Sequence, residues 1–199
     1  MYGSISRFKV KPGKWEALLQ STEAGPQAEG PAAAAVFQMD AGSDEYYVMM
    51  VAESEKAYRA NSERPDMHEA YLERLQWLQS EPEWHDGKVL MFRRHPVPEG
   101  AQLYGSIAEM QVKPGAIEAL MASENSDRQP EGAVALCVFQ MDADANQIFA
   151  VAISESEAAY RAYSESQESQ QRYGEMAKWL EGEPKWHDGQ VLEYRVSFD

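Results

Sequence analysis

The 199-residue chain writes one unit twice. Tyr2-Gly3-Ser4-Ile5 recurs as Tyr104-Gly105-Ser106-Ile107, and Val10-Lys11-Pro12-Gly13 as Val112-Lys113-Pro114-Gly115. Val36-Phe37-Gln38-Met39-Asp40 returns as Val138-Phe139-Gln140-Met141-Asp142, and Trp84-His85-Asp86-Gly87 as Trp186-His187-Asp188-Gly189. The offset is constant at about 102 residues, with close to half of the aligned positions identical. One long repeat is a domain duplication; solenoid units are shorter and more numerous. Between the copies lies His95-Pro96-Val97-Pro98-Glu99-Gly100-Ala101, whose prolines lack backbone donors and whose glycine breaks regular structure. The expected organisation is a first unit over 1–95, a linker over 96–101 and a second unit over 102–199.

Each copy predicts the same order of elements. Tyr2 to Val10 is rich in strand formers and stops at the Lys11-Pro12-Gly13 turn. A helix follows from Lys14 to about Glu23, with Trp15, Leu18 and Leu19 on one face. Ala32–Asp40 and Glu45–Ala52 read as a hairpin around Ala41-Gly42-Ser43-Asp44. A helical region then runs to about Gln79, divided at Pro65; Gln167 holds that place in the second copy and predicts a softer break. Asp86-Gly87 reads as a turn before a fourth strand, Lys88–Arg93. The order βαββαβ is the ferredoxin-like unit.

The strands are apolar on both faces. Tyr46, Val48 and Met50 alternate with Tyr47, Met49 and Val51, and Ile148–Ile153 repeats the pattern. A sheet with one wet face should alternate apolar and polar residues instead. One face must therefore cover helices and the other meet a second apolar layer, either sheet against sheet or in an eight-stranded barrel. Because the second copy supplies that layer, a monomer or weak dimer is expected.

Charge narrows the partners. Acidic residues outnumber basic ones 33 to 18, for a net −15, which excludes a basic face for nucleic acid and disfavours anionic membranes. The acidity suits solubility by self-repulsion, or a saline cytoplasm. No apolar run approaches the roughly 20 residues of a spanning helix, and no signal segment is visible, so a cytoplasmic protein is expected. Cys137 stands alone, which excludes a disulfide framework. It falls in an apolar run opposite Ala35 of the other copy and predicts a packing role. No phosphate loop, serine-nucleophile motif or zinc-protease motif occurs.

The strand, Lys-Pro-Gly turn, helix and Ser-Glu-x-Ala-Tyr-Arg-Ala segment (Ser54–Ala60, repeated as Ser156–Ala162) resemble the antibiotic-biosynthesis-monooxygenase domain. That resemblance spans both copies. It implies an α+β fold in which two ferredoxin-like βαββαβ units pack as a pseudo-dimeric α+β barrel, here within one chain. The superfamily includes cofactor-free oxygenases of aromatic compounds and haem-degrading enzymes. The haem-degrading branch uses an Asn, a Trp and a His. Those positions fall here on Ser6 or Ala108, Asn61 or Tyr163, and Tyr71 or Tyr173, with His68 a short gap away, so neither copy assembles the set. No cofactor and no metal is expected.

Candidate site residues cluster late in each copy. Tyr58, Trp77 and Trp84, with Tyr160, Tyr163, Tyr173 and Trp179, could line a pocket for a flat aromatic ligand, or could be core. His68 and Tyr71 are the catalytic candidates, His68 as proton carrier because imidazole titrates near neutrality. Its repeat partner is Gln170, which places an acid–base site in the first copy. Trp15 and Ile117, Asn61 and Tyr163, and Leu72 and Gly174 are further unequal pairs, so two non-equivalent pockets are expected. Three functions fit: a cofactor-independent monooxygenase of a small quinol or phenolic substrate, a non-catalytic binder of a small apolar molecule, or an interaction protein without ligand.

Overall fold

The computed structural model describes residues 1–124 and 129–197, and of residues 31 and 32 the backbone alone. Residues 125–128 and 198–199, which fall in the expected second unit, lie outside the described residues.

The first copy runs β1 (Tyr2–Lys9), α1 (Trp15–Ala24), β2 (Pro31–Met39), β3 (Glu45–Ala52), α2 (Glu55–Ser62), α3 (Pro65–Arg74) and β4 (Glu83–Arg94). The second runs β5 (Tyr104–Gln111), α4 (Ile117–Ser123), β6 (Ala133–Met141), β7 (Gln147–Ser154), α5 (Glu157–Ser164), α6 (Gln167–Met176) and β8 (Lys185–Val196). Local chemistry sets the helix starts. Ser54 and Ser156 accept the backbone N–H of Ala57 and Ala159, capping α2 and α5. Pro65 opens α3, where its missing N–H costs nothing. The break before α6 is as complete as that before α3, against the softer one expected, because Ser166 caps it by accepting from Ser169 N–H.

All strand pairings described are antiparallel. The order of hydrogen-bonded neighbours is the cycle β1-β3-β2-β8-β5-β7-β6-β4, that of an α+β barrel. The chain forms two compact units. One comprises Met1–Lys88 with the segment from Leu192; the other comprises Val89–Val191. Each long strand, β4 and β8, thus contributes its two ends to different units.

A second local expectation is corrected. Asp86-Gly87 is not a turn but lies within β4, with Asp86 opposite Ser4 and Gly87 opposite Gly3. The turn preference of Asp-Gly is a local bias, and pairing with β1 overrides it. Gly3 is required there: a Cβ would stand 2.0 Å from the Met50 carbonyl oxygen.

The two units fill their helix-facing layer differently. In the first, Val10, Leu18, Tyr46 and Leu78 form a cluster with Phe8, Trp15, Leu75 and Trp77, and Trp15 stacks flat on Tyr46 at 4.1 Å. In the second, Met110, Val112, Leu120, Ile148 and Leu180 cluster with Ile117, Met176 and Trp179. Phe8, Trp15 and Tyr46 are thereby replaced by Met110, Ile117 and Ile148.

Candidate functional site

The strand register builds a floor in the second unit. Asp188 of β8, Ser106 of β5, Ala152 of β7 and Leu136 of β6 stand side by side in one row, and Trp186, Ala108, Ala150 and Val138 in a neighbouring one. Residues two apart on a strand share a face, so Ser106, Ala108 and Met110 point the same way. The corresponding rows of the first unit are Asp86, Ser4, Met50 and Ala34, then Trp84, Ser6, Val48 and Val36. Val48 and Met50 at the centre become Ala150 and Ala152; Ala34 to Leu136 runs the other way, at the side.

Over that floor lies a cavity of about 500 Å³. Ser106, Ala108, Met110, Ala133, Ala135, Leu136, Ala150 and Ala152 form its sheet side. Tyr160 and Tyr163 from α5 and Gln170, Arg172, Tyr173 and Met176 from α6 form its helix side. Trp186 stands at the rim, 51% exposed. Arg93 and His95 enter from the end of β4 and the residue after it, held by the His95 N–H donating to Val134 O at 2.8 Å.

Three polar features mark the cavity. The Tyr160 hydroxyl donates to Asp188 Oδ1 at 2.9 Å. Burial, more than any other cause, pushes this phenol up to about 12; the Asp188 carboxylate adds to the rise, and Ser106 and Arg161 oppose it. Ser106 is 3% exposed, and its hydroxyl faces the Tyr160 phenol and favours its ionised form. Arg172 donates to Glu124 Oε2 at 2.9 Å, both side chains largely buried, and the neighbouring Tyr163 phenol is raised by burial against the opposing charge of Arg172.

Apart from His68, the expected site residues fall into three groups. Tyr160, Tyr163 and Tyr173 line this cavity together. Trp77 and Trp179 pack into the two hydrophobic clusters instead, where large rings anchor helix to sheet. The remaining first-copy residues form a smaller constellation. The Tyr58 hydroxyl donates to Asp86 Oδ1 at 2.7 Å, its phenol raised chiefly by burial, and Tyr71 meets Trp84 edge-on at 6.2 Å, with Trp84 51% exposed.

His68 is exposed on α3, whereas proton transfer requires it to face a cavity; its repeat partner Gln170 lines one. Gly174, the repeat partner of Leu72, is exposed, and a Cβ there would touch nothing within 4 Å. Cys137 is buried in β6 and its thiol is pushed up by burial, which suits packing. Sequence reasoning missed Ser106, Arg172 and His95. It also passed over the signal that would have found the cavity, the replacement of Val48 and Met50 by Ala150 and Ala152.

The fold has known counterparts. A candidate monooxygenase from Fusobacterium nucleatum superposes with a TM-score of 0.78 at 12% identity, over 98% of this chain and 94% of that one. A second candidate monooxygenase, from Lactobacillus acidophilus, gives 0.78 at 10% identity, over 98% and 95%. An anthrone oxidase-like protein gives 0.67 at 15%, over 98% and 92%. Such identities establish a shared fold, and no more. No family model matches the chain, and no curated protein matches it in sequence.

Proposed function

We propose that this chain binds a small, flat aromatic molecule in the cavity of its second unit. The observation that carries this reading is the cavity itself: about 500 Å³, floored by alanines where the other copy has Val48 and Met50, and walled by tyrosines. Its size is that of a small-molecule site, and its few polar groups are of the kind that orient a ligand. Aromatic walls favour planar rings by stacking and apolar burial. Titration with naphthols and tricyclic phenols, followed by Trp186 fluorescence and native mass spectrometry, tests it. A 1:1 complex that disappears in the Ala150→Val/Ala152→Met variant is expected. Absence of binding by every member of the panel at millimolar concentration overturns it.

Cofactor-independent oxygenation of a quinol or phenolic ring is a second reading. It is favoured by His95, the one imidazole among the described lining residues. Neutral imidazole can take the substrate's proton. The electron-rich ring then supplies electrons to dioxygen directly, one oxygen atom bonding to carbon and the other leaving as water. The neighbours named as candidate monooxygenases and as anthrone oxidase-like are consistent with this chemistry. Oxygen uptake during aerobic incubation tests it. His95→Gln should lower turnover about a hundredfold, the usual worth of a positioned acid–base group, with ligand affinity retained. Tight binding without oxygen uptake leaves a non-catalytic binder.

A further inference from the structure

We infer that Arg172 and Arg93 form an anion subsite on the wall of the cavity, so that its ligand is an aromatic carboxylic acid seated with the carboxylate on Arg172. The inference rests on the cavity being a ligand site, and adds the charged group that the ligand carries.

Three divergences between the copies meet at one point. Arg172, Glu124 and Tyr163 stand where the first copy has Ala70, Thr22 and Asn61. In the second unit the three are joined: Arg172 donates to Glu124 Oε2 at 2.9 Å and hydrogen-bonds the Tyr163 hydroxyl. Arg93, from β4, donates to the backbone carbonyl of the same Glu124 at 3.4 Å. One residue thus gathers two guanidiniums on the cavity wall.

Tying helices together does not require this arrangement. In the first copy α3 is tied to α1 by Arg74, for which the backbone carbonyl of Ser21 suffices at 3.2 Å. The second copy has Met176 at Arg74's place and an arginine at that of Ala70, one helical turn or about 6 Å nearer the start of α6. Arg172 and Met176 both line the cavity. The exchange makes the former cation position apolar and sets the new cation in reach of the residue that holds Arg93.

Charge then specifies the group. Among the described lining residues two guanidiniums accompany one carboxylate, an excess of one positive charge in a chain whose net charge is −15. A buried charge is costly without an opposite one, so a monoanion suits this wall and a neutral aromatic does not complete it. A guanidinium presents five N–H donors in a planar fork that matches a carboxylate edge, and Glu124 and Tyr163 take only part of Arg172's set. Asp188, the acid that holds Tyr160, lies on β8, with β5, β7 and β6 between it and Arg93 in the strand order. A ligand carboxylate at Arg172 is therefore kept from that like charge, while Ala150 and Ala152 leave the floor to the ring.

Calorimetric titration of the full chain with 2-naphthoate and its neutral isostere 2-naphthamide tests this. Wild type should bind the acid more than about tenfold tighter than the amide, the worth of hydrogen bonds to a charged partner. Arg172→Gln should abolish that preference and leave amide binding unchanged. Arg93→Gln should reduce it. Glu124→Gln, which removes the resident carboxylate but keeps an acceptor for Arg172, should enlarge it. A merely structural ion pair predicts the same effect from Arg172→Gln and Glu124→Gln; the subsite predicts opposite ones. Circular dichroism confirms that each variant folds, and the wild-type comparison with Glu124→Gln decides the matter should Arg172→Gln not fold. Equal wild-type affinity for acid and amide, or parallel changes in the two variants, overturns the subsite and leaves the cavity reading intact. If neither ligand nor any naphthol binds the wild type, the cavity reading and the subsite fall together.

Discussion

The hydroxyl of Tyr160 donates to Asp188 at 2.9 Å, tying α5 to β8, and Tyr58 ties α2 to Asp86 of β4 by the same bond at 2.7 Å. In both copies the linked phenol is held protonated well beyond its ordinary range.

Alkaline stability should follow from the burial of the Tyr160 phenol, with the bond to Asp188 adding to it. The Tyr160 value rises from 10.0 to about 12 on folding, so the folded state holds the proton more tightly. Its contribution is complete below about pH 10 and is lost as pH climbs towards 12. Thermal melts between pH 8 and pH 12 should show wild type losing stability above pH 10, and Tyr160→Phe losing less. Identical profiles for the two would contradict the assignment.

Filling the cavity should trade binding for stability. Ala150→Val/Ala152→Met installs the first copy's residues over the same floor. Added apolar contact in an existing void should raise stability by about 1 kcal/mol, measurable by urea unfolding, while ligand binding disappears. Lower stability would mean that the void is already closed by side-chain movement.

Gly3→Ala should be severe. Its Cβ would lie 2.0 Å from Met50 O, backbone that cannot swing aside. Denaturant unfolding should show a loss of about 3 kcal/mol or more, at the upper end of overpacking costs.

Association should be weak. In the cyclic strand order every strand has two hydrogen-bonded neighbours, so no strand edge is left to recruit another chain. Light scattering should report a monomer near 22.4 kDa, or a concentration-dependent dimer. An obligate dimer would refute this.

The βαββαβ order was legible because it rests on local signals: Lys-Pro-Gly turns, the break at Pro65 and helical spacing. Asp86-Gly87 was misread because a turn-favouring pair says nothing about the strand opposite it, and Ser4 and Gly3 decide the matter from more than eighty residues away. The site was half legible. Tyr160, Tyr163 and Tyr173 stand out as aromatics, but so do Trp77 and Trp179, and only packing separates wall from core. A cavity is made by side chains that are small, and Ala150 and Ala152 draw no attention until register sets them beside Ala108 and Ser106. His68 attracted a role by its chemistry alone; its position on the outer side of α3 was hidden until the helix was docked.

The division of β8 bears on how this protein is born. The unit that begins at Met1 also contains the segment from Leu192, which is β2's neighbour in the strand order. A ribosome delivers that segment long after α1 to α3 have emerged, so β2 waits with an open edge while the intervening chain is made. The early unit is therefore finished late, and the nascent chain is most exposed to misassembly and to chaperones in the interval before its closing strand is released.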